Sequence, residues 1–548
     1  MKPNYLLPFG LDWKYNAAIT TKMRHCQTKF PPLTKRSSRF ILLSVLSALL
    51  VVGCSDKSER AFAEGQQAQA LLDAGDLPGA RAAIGRALLL RDDQIDLLML
   101  DGRIKFQMRD YEAAFDSYNL ALAIDPANTE AMQAVSQIGA SIGFERESEE
   151  ATDRILALNP KQPDALLVKG VHALNKRKFA EAQALGESIL EANPQSETGV
   201  VLKARAMFLG GKRAEAFALL SDAIKRIGRT QMITTALLEC ARDQSDTEIM
   251  LQQYRVLSGL VPKNVDLTVD ETNTAYKSGL TDEARSRGYA LIVENGDKPE
   301  AMRRLSDLWT EYDTDPLTSS QIASISNEGQ PAARMMAARY YLNRGDATTA
   351  AALVAPMQDD AVHGLKTRIQ YALGDPGALG GAEWLLKKDK TNCDALTVRN
   401  VAEIQAKQSA NAINSAQVIV AECPDSDDGF LMLAEAYGLA GKPEGVRRAF
   451  NQGVEALPIN TRIVARYVDW LLDNGRRDSA LSIARRLTQR APAKISAWRL
   501  LKSACSRAND TNCVVEATRG EATARRNFVI DLPPGERRPN PLLGNSWR

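Results

Sequence analysis

"DPANTEAM" (125–132), "NPKQPDAL" (159–166) and "NPQSETGV" (193–200) place Pro126, Pro160 and Pro194 at intervals of 34 residues. A single globular core gives no reason to stop a chain at a constant interval, whereas a stack of like modules does. The stops continue in register, with Gly228 where the next proline would fall, then Pro262, then Gly296. A second series runs Pro424, Pro458 and Pro492, again 34 apart. Setting each stop as position 32 of its unit, residues 95–128 carry Gly102, Ala114, Tyr118 and Ala121 at positions 8, 20, 24 and 27. Residues 163–196 carry Gly170, Ala182, Gly186 and Ile189 there, and 197–230 carry Ala204, Ala216, Leu220 and Ala223. The unit 61–94 keeps Ala68, Ala80 and Ala87, and 427–460 has Ala434, Tyr437 and Phe450. Turns such as "AGDLPGA" (74–80), "NRGDATTA" (343–350) and "LAGKPEG" (439–445) supply a glycine helix stop and a polar helix start midway through each unit.

Small residues at positions 8, 20 and 27 with a closing proline resemble the tetratricopeptide repeat. The resemblance implies an all-α fold, a right-handed α-solenoid of about fourteen helix–turn–helix repeats. It also implies that the first helix of each repeat lines a concave surface, with positions 2, 5, 9 and 12 facing it. Those positions hold Asp96, Met99, Arg103 and Phe106 in one unit and Thr198, Val201, Arg205 and Phe208 in another. A third unit places Met335, Arg339 and Leu342 there. An Arg with an aromatic three residues on suits an extended peptide bearing carboxylates or apolar anchors. Arg103, Phe106, Arg205, Phe208 and Arg339 are therefore the candidate peptide-groove residues; ordinary groove lining is the alternative. The Lys/Asn carboxylate clamp known in the family is not found in register.

Lys plus Arg number 69 against 67 Asp plus Glu, which gives no electrostatic case for nucleic acid. Catalysis has little to draw on. The three histidines are His25, His172 and His363, none with a Cys or His three or four residues away. No HExxH, GxSxG or phosphate-loop motif occurs, and "GALGG" (377–381) follows no strand. The expectation is a non-enzymatic chain with no cofactor and no metal site.

The start of the chain reads differently. Lys22, Arg24, Lys29, Lys35, Arg36 and Arg39 precede "FILLSVLSALLVV" (40–52), the pattern of a secretory signal. Thirteen residues span only about 20 Å as helix, short of the roughly 30 Å hydrocarbon core. "VVGC" (51–54) resembles the lipobox of bacterial lipoproteins, which implies lipidation of Cys54; Ser55 after it implies the outer membrane. Met23 is a second candidate start. Export permits disulfides among Cys240, Cys393, Cys423, Cys505 and Cys513. Cys393 and Cys423 fall at positions 1 and 31 of one unit, the same end of a helical hairpin, and Cys505 and Cys513 straddle a turn. Both pairs are disulfide candidates, with reduced, buried cysteines the alternative, and Cys240 reads as core.

The expected organisation is a signal over 1–53, a tether over 54–60, a first array over 61–298, divergent repeats forming a joint over 299–392, a second array over 393–528 and a proline-rich tail over 529–548. That tail is expected to be extended or disordered, with folding back over the last hydrophobic face as the alternative. The expected function is a lipid-anchored, periplasm-facing outer-membrane scaffold that binds other envelope proteins through its groove. Exopolysaccharide export is the leading setting; pilus or secretion-system assembly and a polysaccharide-binding module are the alternatives.

Overall fold

Every regular element in the described span, residues 41–531 of a computed structural model, is an α-helix. The helices group into two compact units, one ending at Ala236 and the other running from Leu237 to Arg537. The first holds α1 (Ile41–Asp73), α2 (Leu77–Leu90), α3 (Ile95–Gln107), α4 (Tyr111–Ile124) and α5 (Thr129–Ile142). It continues with α6 (Glu145–Leu158), α7 (Pro163–Asn175), α8 (Phe179–Ala192), α9 (Glu197–Leu209) and α10 (Arg213–Arg226). The division falls within α11 (Gln231–Gln244). The second unit holds α12 (Thr247–Leu260), α13 (Val265–Lys277), α14 (Thr281–Asn295), α15 (Pro299–Tyr312), α16 (Ser319–Glu328) and α17 (Pro331–Asn343). Then follow α18 (Ala347–Val354), α19 (Asp360–Ala372), α20 (Ala378–Lys388), α21 (Cys393–Gln405), α22 (Ser409–Glu422) and α23 (Asp427–Leu439). The last are α24 (Pro443–Ala456), α25 (Thr461–Asp473), α26 (Arg477–Arg490), α27 (Ile495–Arg507) and α28 (Thr511–Arg526).

Two local signals cut the chain into these hairpins. The first follows the proline by two residues: the side chains of Asn128, Gln162, Ser196, Asn264 and Asn460 each accept a hydrogen bond from the third backbone N–H of the helix they open. Proline thus ends one helix and the cap starts the next. The second is a left-handed residue in the turn inside each hairpin. Gly75, Arg109, Gly143, Arg177, Gly211, Ser245 and Gly279 all have φ between 57° and 90° and stand 34 residues apart. Lys407, Gly441, Gly475 and Asn509 repeat the series at the same spacing.

The small positions do what close packing requires. A Cβ on Gly102 would meet the Tyr118 ring at 2.7 Å, and one on Gly170 would meet Leu202 at 2.4 Å. On Gly186 it would meet the Lys203 backbone nitrogen at 2.8 Å. Ala68, Ala80, Ala114, Ala182, Ala204 and Ala216 are fully buried at the same contacts.

Residues 299–392, expected to form a joint, lie inside the second unit, and one buried cluster runs through them from Leu251 to Ile369. The period does break, as left-handed residues fall at Gly279, Gly345, Gly374 and Lys407, with no such residue between the first two. Shortened helices absorb the break: α16 has 10 residues, α18 has 8 and α20 has 11. Asp313 replaces the missing turn with side-chain bonding. Its carboxylate accepts from Arg285 Nε and Nη2, each at 2.8 Å, and from the Tyr276 hydroxyl at 3.0 Å. Its carbonyl accepts from the Tyr340 hydroxyl at 2.5 Å. Burial pushes this carboxyl up, but these donors and the Arg285 charge outweigh it and hold the group below its usual range. Tyr276 stacks on Tyr312, and Trp309, the largest fully buried side chain, meets Tyr340 edge-on.

Residues 54–60, read as a tether, are helical and continue α1. The charged leader, Met23 and His25 lie outside the described residues, as do the side chains of 41–56, Cys54 among them. No helix of the described residues is long and apolar enough to cross a membrane.

Candidate functional site

In the second unit, charge is threaded along the first helices of successive hairpins. Arg339 on α17 holds Asp394 on α21 by two bonds of 2.8 and 2.7 Å. Arg368 on α19 reaches Asp428 on α23 at 2.7 Å and Asp394 at 3.6 Å. Arg462 on α25 donates to Asp428 at 2.8 Å and to Asp427 at 2.9 Å. Asp394 and Asp428 are both buried, so each carboxylate lies between guanidinium groups from different repeats. Burial alone would raise Asp428, yet Arg368 and Arg462 hold it below the usual carboxylate range. Asp394, Asp428 and Arg462 follow one another at 34 residues, all at position 2 of their units. That register was the signal available for them; the neighbours of Arg339 could not be read without the fold.

At the other end of the same unit, an extended stretch of chain lies against side chains of α11 to α13. Asn527, which ends α28, is extended with φ −95° and ψ 102°. The Lys277 ammonium, at the last residue of α13, donates to the carbonyls of Ala493 at 2.7 Å, Ala524 at 3.1 Å and Asn527. Asn273, buried one turn earlier, donates to the Phe528 carbonyl at 3.2 Å and accepts from the Tyr312 hydroxyl at 3.1 Å. Ser245 Oγ donates to the Arg526 carbonyl at 3.1 Å. The Phe528 ring is 4% exposed and packs among Leu238, Ala241, Met250, Tyr254 and Leu257. Ile530 packs on the large cluster, and Asp531 accepts from the Ala493 N–H at 2.8 Å. Beside it, Glu311 of α15 accepts from Ser496 N at 2.7 Å and Ser496 Oγ at 2.5 Å, at the start of α27. Burial lowers Lys277 to about 8 and raises Asp531 to about 6. The tail expected to be extended or to cover the last hydrophobic face therefore covers the unit's first helices, through residues 527–531; residues 532–548 lie outside the described span.

No protein-family model and no curated protein matches the chain. Among solved structures it is similar to a tetratricopeptide repeat protein from Parabacteroides merdae, at 16% identity and a TM-score of 0.39, over 46% of this chain and 99% of that one. A TPR protein of Thermus thermophilus matches at 20% identity and TM-score 0.31, over 33% of this chain and 98% of that one. PilW, a type IV pilus biogenesis factor, matches at 21% identity and TM-score 0.32, over 38% of this chain and 96% of its own. Each superposes on less than half of this chain, and the assignment rests on the chain's own 34-residue period and hairpin packing. The chain folds as an array of 34-residue helix–turn–helix repeats, an architecture that resembles the tetratricopeptide repeat.

The groove residues expected of such repeats are not equally open. Arg103 and Phe106 on α3 are half-buried, with Phe106 edge-on to Tyr111 at 5.5 Å. Phe208 is half-buried under the Arg213 guanidinium, 5.8 Å from the ring centre. Arg205 is 5% exposed, buried with Ala204, Ala206 and Met207 on α9. Arg339 is engaged by Asp394. Cys393 and Cys423 are bonded, with Cα atoms 6.1 Å apart, and Cys505 and Cys513 are bonded at 5.5 Å; Cys240 is a buried thiol.

His172 of α7 forms one constellation that resembles catalytic machinery. Its Nε2 lies 2.9 Å from Ser148 Oγ, and Glu149 Oε1 is 3.9 Å from Nδ1. Ser148 is fully buried and gives its proton to the Ser136 carbonyl at 2.5 Å, so His172 is the donor between them and cannot act as its base. Thr152 donates to the Ser148 carbonyl at 2.6 Å and meets Ser136 Oγ at 2.7 Å, closing a buried hydroxyl network between α5, α6 and α7. Burial holds the imidazole below its usual value, with Glu149 opposing. The network is packing. Among the described residues no group of three or more His, Cys, Asp or Glu is placed to hold a metal.

Proposed function

We propose that the chain is a non-enzymatic protein-interaction scaffold whose repeat surfaces hold extended peptide. One observation carries this reading: the Asn273 and Lys277 side chains, on the first helix of a hairpin, already grip an extended segment by its backbone carbonyls while a pocket takes its phenylalanine. Backbone gripping with one anchored side chain is a mode of recognition and needs no chemistry at the site.

In the finer reading, Cys54 carries lipid, the repeats face the periplasm from the outer membrane, and the partners belong to envelope machinery, exopolysaccharide export foremost. Two disulfides in the repeats support an oxidising compartment. The test is photocrosslinking in the intact envelope, with a photoreactive residue at Phe106 or Met335 on first helices and at Leu89, 88% exposed on a second helix, as control. Adducts from the first two positions and none from Leu89 support the scaffold, and the adduct's identity separates export from pilus or secretion assembly. Equal adducts from all three positions, or a polysaccharide as the sole adduct, overturn it. Cys54→Ser should move the chain from the membrane to the soluble fraction.

A further inference from the structure

We propose that Asn527–Asp531 is a built-in occupant of a peptide-binding seat, and that a partner segment presenting an aromatic, an aliphatic and a carboxyl or carboxamide side chain in the order of "FVID" takes its place. This rests on the scaffold reading and says which surface binds and what blocks it.

The segment is held as a ligand is held. Two of its contacts, from Lys277 and Asn273, go to backbone carbonyls and would hold any extended chain, while Ser245 fixes the end of the helix before it. Selectivity comes from Phe528 in its apolar pocket and from Asp531 on the Ala493 N–H. Asn273 and Lys277 precede Phe528 and Asn527 by 255 and 250 residues, so docking of the strap on them is a tertiary event. Docking also buries Lys277 and Asp531 against their ionisation, which weakens the strap's own hold. An occupant tethered by α28 enjoys a high effective concentration, so a partner succeeds only when locally concentrated or when the strap is weakened.

The experiment uses the full chain and a labelled peptide of residues 526–532, read by fluorescence anisotropy. Phe528→Ala should empty the pocket, and the peptide should bind that variant at least about tenfold more tightly than the native chain, the loss expected from one unburied phenylalanine. The same peptide with Ala at the phenylalanine position should bind neither. Adding Asn273→Ala to Phe528→Ala should weaken binding again. If Phe528→Ala does not fold, a chain ending at Arg526 replaces it, and the peptide should raise its melting temperature. Equal binding to native and strap-weakened chains, or none to a variant whose helicity matches native, overturns the proposal. Envelope adducts at Phe106 without peptide binding leave the scaffold standing and remove the seat. Peptide binding without any protein adduct keeps the seat and removes the scaffold.

Discussion

Two glycines on neighbouring helices show how differently one residue type can matter. Gly102 sits where α3 meets α4, and a methyl group there would meet three atoms of the buried Tyr118 ring at 2.7 to 2.9 Å. Tyr118 is 2% exposed and has no room to retreat. Gly102→Ala should cost about 1–3 kcal/mol by overpacking. Gly85 lies on the open side of α2, and a methyl group there would have nothing within 4 Å. Gly85→Ala should instead stabilise by about 0.5–1 kcal/mol through helix propensity alone. Urea denaturation followed by circular dichroism checks both, and the same sign for the two would break the packing account. Position 8 was legible as small from the period, but its partner, the ring of Tyr118, was legible only as another position of the same unit.

Single hairpins are stapled in two different ways. Cys393 opens α21 and Cys423 caps α22, so their bond joins the two ends of one hairpin across 30 residues, whereas Cys505 and Cys513 enclose 8. Chain-entropy scaling gives about 3–4 kcal/mol for the longer loop and about 2–3 for the shorter. Cys393→Ser with Cys423→Ser should therefore lower stability more than the matching pair in α27–α28, and hydrogen exchange should localise the loss to α20–α23. The irregular hairpin around Asp313 is held by polar contacts. Asp313→Ala strands Arg285 and the Tyr276 hydroxyl, while the backbone carbonyl keeps its bond from Tyr340, and should cost about 1–3 kcal/mol. Since the folded group titrates below its usual range, its contribution is present above about pH 4 and fades as the pH falls further. A loss under about 1 kcal/mol would mean the tyrosine and tryptophan packing alone holds the segment.

Across the second unit, the strap makes a prediction with the opposite pH sign. Asp531, the last residue of the strap, is buried facing Lys277 and Lys494 and titrates at about 6, above a free carboxyl. The docked strap thus takes up a proton that the released strap gives away. Docking should strengthen as pH falls from about 7 through 6, and level off near pH 4. Asp531→Asn keeps an acceptor for Ala493 N–H without the charge, so it should dock more firmly at pH 7.5 and show no gain on acidification to pH 5. Protease accessibility of the tail, compared between native and variant, reads this directly. A native profile flat across that range would refute the assignment of the shift to strap burial.

The repeat itself was written in the sequence, because its causes are local: a proline stop, a polar cap two residues on, a turn every 34 residues and slim residues at the helix contacts. The disulfide pairs were within reach for the same reason, since each joins ends of a single hairpin. Openness was not local. Arg205 and Arg339 stand at the expected positions, yet neighbouring helices bury the first and a carboxylate two hairpins further on engages the second. Left-handed turns at Arg109, Arg177 and Lys407 carry no glycine to announce them, because the hairpin imposes the conformation. The strap was least legible of all. Phe528 and Asn273 meet across 255 residues, and a contact of that range depends on how every intervening hairpin stacks, which no pattern within one repeat encodes.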